Sequence, residues 1–162
     1  MQISIAPFTA AHQDGVTALI LPIQQVEFGI PITLEAQPDL LDIPHVYQRG
    51  AGNFWVALDD NQVVGTIAVL DIGQGDGALR KMFVRASHRG PTHAIAQRLL
   101  ETLLAWCATQ HTRALYLGTT APMHAAHRFY ERNGFRAIDR HDLPPHFPVM
   151  TVDTKFYRRA VG

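Results

Sequence analysis

The sequence holds one cysteine, Cys107, so a disulfide within the chain is excluded. Cys107 falls on the apolar side of an expected helix, where a buried, inert thiol is the default. No stretch reaches the ~18–20 consecutive apolar residues of a membrane span. The opening MQISIAPFTA lacks both a positive n-region and a long apolar segment, so it does not read as a signal peptide, and a cytoplasmic location is expected. Neither sign of charge dominates: 14 basic residues face 14 acidic ones. Nucleic-acid binders carry a basic excess or stripe because phosphate neutralisation supplies most of their affinity. The only basic cluster here is Lys155, Arg158 and Arg159, and a solvated strand end accounts for it. Neither nucleic acid nor membrane is expected as a partner. Internal repeats, low-complexity tracts and linkers are absent.

What is present is an ordinary globular balance, 47% apolar and 17% charged over 162 residues. That length predicts one domain, residues 1–162, with roughly 70% of the unfolded chain's surface buried.

Gln2 to Ala6 alternates as a strand. Thr9 is placed to cap a helix whose apolar residues Val16, Leu19, Ile20, Ile23 and Val26 follow helical spacing, with Pro22 predicting a kink. Residues 29–44 hold three prolines and read as a loop with one or two helical turns. Asn53–Leu58 and Gln62–Ile72 predict a hairpin, the second strand apolar enough to be central. Ala78–Arg85 is the next strand. His93–Thr109 is the clearest helix, with Ile95, Leu99, Leu103, Trp106 and Cys107 on one face. Arg113–Gly118 predicts a strand, Ala121–Asn133 a helix stopped by Gly134, and Phe135–Asp139 and Val149–Tyr157 two closing strands. The order predicts an α/β (mixed α+β) fold: a mostly antiparallel mixed sheet of six to seven strands with helices on both faces.

Chemistry concentrates where the strand through Met82 runs into the helix near His93. A strand entering a helix through a glycine-bearing loop offers free backbone N–H groups at a positive dipole end, which suits a phosphate. An ordinary strand–helix connection has the same outline. His124 and His127 lie three apart on a helix, a spacing compatible with a metal, but no third ligand is evident and no metal is expected. His88 and His93 flank the loop, where capping is the simpler role.

FVRASHRGPTHAIAQRLL resembles the cofactor motif of the GNAT acetyltransferases, and FYERNGF, Phe129 to Phe135, resembles that family's closing signature. RALYLG lies between them, as in the family. The resemblance implies an acetyl-CoA-dependent N-acetyltransferase that acts on a primary amine of a small molecule or peptide by direct attack, as a monomer or homodimer. It implies that Met82, Phe83 and Val84 line the pantetheine arm, with Phe83 and Val84 pairing through their backbone like an added strand. It assigns the pyrophosphate to amides around Gly90, His93, Ala94, Ile95, Ala96 and Gln97, with Arg89 adding charge. Tyr130 corresponds to the tyrosine that returns a proton to the departing thiolate, and the backbone N–H of Val84 to an oxyanion donor. Glu27 is the first choice for the base that deprotonates the amine, with Asp76 behind it. Four positions depart from the family pattern. Ala94 stands where glycine is usual, Pro91 and Thr92 lengthen the loop, and Met123 replaces a frequent asparagine, leaving Thr119 or Thr120 for its contacts. These departures also admit a CoA-binding module of the same shape that does not catalyse.

Overall fold

A computed structural model describes residues 2–121 and 123–161. Seven strands form one sheet: β1 Ile3–Pro7, β2 Asn53–Asp59, β3 Gln62–Gly73, β4 Asp76–Val84, β5 Ala114–Thr119, β6 Arg136–Ile138 and β7 Lys155–Ala160. Their order is β1-β2-β3-β4-β5-β7-β6, and β4 with β5 is the parallel pair among antiparallel neighbours. The expected sheet of six to seven strands is what forms. The last strand begins six residues later than the apolar pattern predicts, because the stretch through Pro148 and Met150 is a loop folded back over the sheet.

The first helix, α1 (Gln13–Pro22), changes at Pro22 into a π-helical turn, Ile23–Glu27, in which the Phe28 amide reaches back to the Ile23 carbonyl at 3.0 Å. The expected kink at Pro22 is therefore a change of helical pitch, at the residue that has no N–H to give. Two short helical turns follow, α2 (Pro38–Leu41) and α3 (Ile43–Val46). Helices α4 (Ile95–Thr109) and α5 (His124–Arg132) complete the set, and α5 ends at Gly134, whose φ is +85°.

Period-two alternation along the strands sends side chains to two cores. On one face α4 and α5 cover Trp55, Ile67, Leu79, Leu115 and Leu117 through Leu99, Leu103 and Tyr130. On the other, α1 and the α2–α3 turns cover Phe54, Val56 and Ala68 through Val16, Ile20, Leu40 and Tyr47. Gly65 sets how closely α4 rides on β3. A Cβ there would stand 3.1 Å from both Ile95 Cγ2 and Leu99 Cδ1, so a larger residue would lift the helix start. Among the described residues no helix is long and apolar enough to cross a membrane.

Helix α4 starts at Ile95, two residues after the expected start at His93. Its N-cap, Ala94, takes left-handed backbone angles, φ 48° and ψ 42°. An L-residue there pays about 1–2 kcal/mol of steric cost that glycine escapes. Cys107 is fully buried, and that burial pushes its thiol up to about 11.

Two outcomes follow. Ala94→Gly should raise unfolding stability by about 0.5–1 kcal/mol, the left-handed cost relieved less the extra entropy of glycine in the unfolded chain, as read by urea titration. Cys107 should resist a disulfide reagent at pH 8 in the native protein and react at once in denaturant.

Candidate functional site

Strands β4 and β5 pair for only three residues, Asp76↔Ala114, Gly77↔Leu115 and Ala78↔Tyr116. Beyond Ala78 they part. The opening becomes a cleft of about 950 Å³ lined by β4 from Leu79 to Val84, β5 from Leu117, the loop at Arg89 and Gly90, and the start of α4. The face of α5 that carries Phe129 and Tyr130 forms its other wall.

The register of β3 with β4 decides which backbone groups face this opening. Arg85 donates its N–H to the Val64 carbonyl at 2.8 Å, and Thr66 stands opposite Phe83. In an antiparallel ladder the hydrogen-bonded residues alternate, so Phe83 is committed to β3 while Met82 and Val84 turn their peptide groups to the open side. The backbone groups of Phe83, expected beside Val84 on the open edge, thus lie on the β3 side. Val84 lies at the loop end of the cleft, and its carbonyl already accepts Arg89 Nε at 2.8 Å. Met82 lies one dipeptide, about 6.6–6.8 Å, farther toward the fork.

Between Thr66↔Phe83 and Ala68↔Arg80 the register slips, giving β4 one extra residue. The slip falls at Lys81, whose φ is +55°. A bulge of this kind breaks the alternation, so Arg80 and Lys81 serve the same face of the sheet. Lys81 is held there tightly: its Nζ donates to Gln37 Oε1 at 2.8 Å and lies 3.3 Å from Asp39 Oδ2. Asp39 also accepts the Tyr47 hydroxyl at 2.6 Å, and Gln37 exchanges two amide hydrogen bonds with Gln24. Burial lowers the pKa of Lys81 against the pull of Asp39.

The start of α4 meets the chemical requirement for an anion. Pro91 has no N–H, but the first helical amides, Ile95, Ala96 and Gln97, have no intrahelical acceptor, and no side chain caps them. They line the cleft beside Gly90, Pro91 and Ala94. His93 sits at the turn just before them, half-buried. His88 also lines the cleft, but both of its ring nitrogens are engaged. Its Nε2 lies 2.8 Å from Asp59 Oδ2 and its Nδ1 2.8 Å from Ser87 Oγ, so it ties the loop to the end of β2.

Arg89 and Glu27 come together as a bidentate ion pair across the cleft mouth, Nη2 to Oε1 being 2.7 Å. The Arg89 hydrogen bond holds Glu27 below the usual carboxylate range, the wrong direction for a base. Asp76 sits where β4 is still zipped to β5, outside the cleft, near Arg113 and His146. Tyr130 lines the cleft with its ring stacked edge-on against Phe129 and Phe135. No hydrogen bond among the described residues engages its hydroxyl, and burial raises its pKa, so the proton stays on. Thr120 Oγ1, also on the cleft wall, is the buried side-chain oxygen without a partner among the described residues. Met123 contacts Thr119 through sulfur, and His127 binds the Thr120 carbonyl at 2.9 Å. Among the described residues no group of three or more potential ligands is arranged for a metal.

Three groups in the cleft were not anticipated from the sequence. Arg80, Lys81 and Asp153 all line it. Asp153, from the loop before β7, accepts the Met150 amide at 3.2 Å, and burial raises its carboxyl pKa. The signal available was ALRKMFVR, two adjacent cations inside a strand otherwise apolar enough to be buried.

The chain matches the model of the Acetyltransferase (GNAT) family over residues 19–135. It is 37% identical to an acetyltransferase of the GNAT family from Staphylococcus aureus, over 99% of this chain and 100% of that one, with a TM-score of 0.95. Over 111 residues, 65% of the chain, it is 37% identical to human N-acetylaspartate synthetase, of which it spans 36% of the length. Its fold also matches an N-acetyltransferase from Thermoplasma acidophilum solved with coenzyme A, at a TM-score of 0.74 and 14% identity over 99% of each chain. The chain thus belongs to the GNAT acetyltransferase family.

Proposed function

We propose that this protein moves an acetyl group from acetyl-CoA to a primary amine of a small molecule or peptide. The observation that carries the reading is the meeting of three features in one cleft: an open strand edge, an uncapped helix start and the unbonded hydroxyl of Tyr130. Acetyl-CoA, when bound, supplies the acetyl group as an activated thioester.

The chain's own groups divide the remaining work along the cleft. The amides of Ile95, Ala96 and Gln97 face the diphosphate, with the Ala94 and Gly90 backbone beside them and the helix dipole favouring negative charge. Thr120 Oγ1 offers its unmet hydrogen bond to the same ligand. Met82 and Val84 give the amide arm the peptide groups that β5 leaves unpaired. Because Val84 stands at the phosphate end, the N–H of Met82 is the better placed oxyanion donor. Tyr130 keeps its proton in the resting protein and donates it to the departing sulfur.

The incoming amine must first lose a proton. Glu27 is better suited to strapping the mouth through Arg89 than to this step. Asp153 is the stronger candidate, since it lines the cleft and burial raises its pKa toward that of an effective base. Arg80 and Arg140 pull the other way, and the Met150 amide stabilises its charged form.

Calorimetry with acetyl-CoA and a thiol-release assay over primary amines test the assignment together. Binding with no thiol release on any amine would favour a CoA-binding module over an enzyme. Tyr130→Phe should lower kcat about 10²-fold or more while acetyl-CoA still binds, as expected for lost acid catalysis. Unaltered turnover would remove Tyr130 from the reaction.

The pH dependence of kcat/KM has a worked sign. Asp153 acts deprotonated, and its pKa is raised, so the rate should fall on acidification at a pH above the ordinary aspartate value of about 4. Asp153→Asn should abolish that acid limb and lower the plateau. A limb retained in the variant would assign the titration elsewhere.

A further inference from the structure

Arg80 and Asp153 present opposite charges to the same face of the fork, and neither is used up by a charged partner. Arg80 carries five N–H donors in a planar fork. Its hydrogen bond among the described residues is to Met150 Sδ at 3.2 Å, and a thioether is a weak acceptor. Asp153 accepts the amide of that same Met150 at 3.2 Å. No ion pair among the described residues engages either group. Each nevertheless feels the other's field, since Arg80 pulls the Asp153 carboxyl downward. Two groups joined through one methionine, attracting but not touching, leave a gap with a positive wall and a negative wall.

The face they share is fixed by alternation. Leu115 and Leu117 belong to the core under α4 and α5, so Gly118 points the opposite way. It is over Gly118 that Asp153 folds, so closely that any Cβ there would strike the carboxylate. Leu79 likewise packs toward α4, which sends Arg80 to the α1 side. Both charges therefore stand across the sheet from Tyr130, two residues beyond the last pair of β4 with β5, Ala78↔Tyr116. An amine attacking the thioester from the side opposite the leaving sulfur's proton donor would arrive between them.

We infer that the acceptor is an α-amino acid, its carboxylate held by the Arg80 guanidinium and its amino group facing Asp153. In an α-amino acid the ammonium and the carboxylate are bonded to the same carbon, so the groups that recognise them must be neighbours, as Arg80 and Asp153 are. Charge supports a zwitterion over a phosphate. Arg80 and Lys81 are balanced by Asp39 and Asp153, and Lys81 is already committed to Asp39 and Gln37. A net-neutral ligand leaves that balance intact, whereas a dianion would add uncompensated charge to a half-buried site. The bulge at Lys81 sets that cation on the same face as Arg80.

This inference rests on the acetyltransferase reading, and the experiment separates the two. Thiol release would be measured with the standard L-amino acids, their amides, their decarboxylated amines and phosphoethanolamine. Binding of the same compounds to the CoA-saturated protein would be followed by calorimetry. The expected result is at least one amino acid favoured in kcat/KM by about 30-fold or more over its own amide and amine, the scale of a charge-assisted hydrogen bond. Arg80→Gln should shrink that ratio to below about fivefold by raising KM for the amino acid, and Arg80→Lys should restore part of it. Amino-acid binding without turnover would support the inference while overturning the transferase reading. Equal use of amino acid and amide, preference for phosphoethanolamine, or an unchanged ratio in Arg80→Gln would each overturn the inference and leave the transferase reading standing.

Discussion

Everything this protein is built to do depends on a hydrogen-bond ladder that is abandoned. After three residue pairs β5 turns from β4 toward β7, and the peptide groups of Met82 and Val84 are left without a strand. Unpaired backbone groups inside a protein cost free energy unless something else binds them. The parting of two parallel strands is thus a template for an extended, amide-bearing ligand, and it is held open because each strand has another partner. Strand β4 is zipped to β3 on its far side, and β5 to β7 over six residue pairs. Neither can relax into the gap without losing a longer ladder.

The two faces of the fork are kept chemically separate by the same geometry. Toward α4 and α5 the cleft is apolar and ends in Tyr130 and the helix start. Toward α1 it ends in ions and amides. The ordered chain from Gln24 through Gln37, Lys81 and Asp39 to Tyr47 has donors and acceptors matched at every link. A buried ion pair contributes little net stability against its desolvation, but one with satisfied partners holds its geometry firmly. Its position beneath a bulge indicates what that firmness serves. The extra residue in β4 puts a cation where strict alternation would have put an apolar side chain, and the network keeps the bulge from sliding along the strand.

How much of this is legible in the sequence follows from which interactions are local. The apolar run of Asn53–Leu58 and the four–three spacing from Ile95 to Cys107 report burial directly, so the sheet and α4 are readable to within a few residues. The loop FVRASHRGPTHAIAQRLL and FYERNGF are contiguous, so the cofactor side of the cleft is readable too. The acceptor side is not. Glu27 and Arg89 are 62 residues apart in the chain, and nothing in either neighbourhood announces the other. A bulge has no period, so the slip at Lys81 is invisible, and with it the facing of Lys81 beside Arg80. Asp153 sits in a stretch whose apolar residues mimic a strand, and the loop that carries it over Gly118 is defined by tertiary contact alone.

That asymmetry has a physical cause. On the proposed reading a diphosphate and an amide arm are recognised by backbone, so the sequence must supply only an open ladder and an uncapped helix, both encoded by local pattern. Here Ala94 shows how tolerant that side is. It occupies the left-handed cap that glycine would occupy more easily, Pro91 withholds an amide, and yet the N–H groups of Ile95, Ala96 and Gln97 remain uncapped at the cleft. An acceptor is recognised by side chains, and three of those around the fork (Arg80, Asp153 and Glu27) come from segments far apart in the chain. A change at Ala94 or Pro91 alters a cap, whereas a change at Arg80 removes a charge that no neighbour replaces. Chemistry on the acceptor side is therefore set by few residues, and it can change while the fold and the cofactor cleft stay as they are.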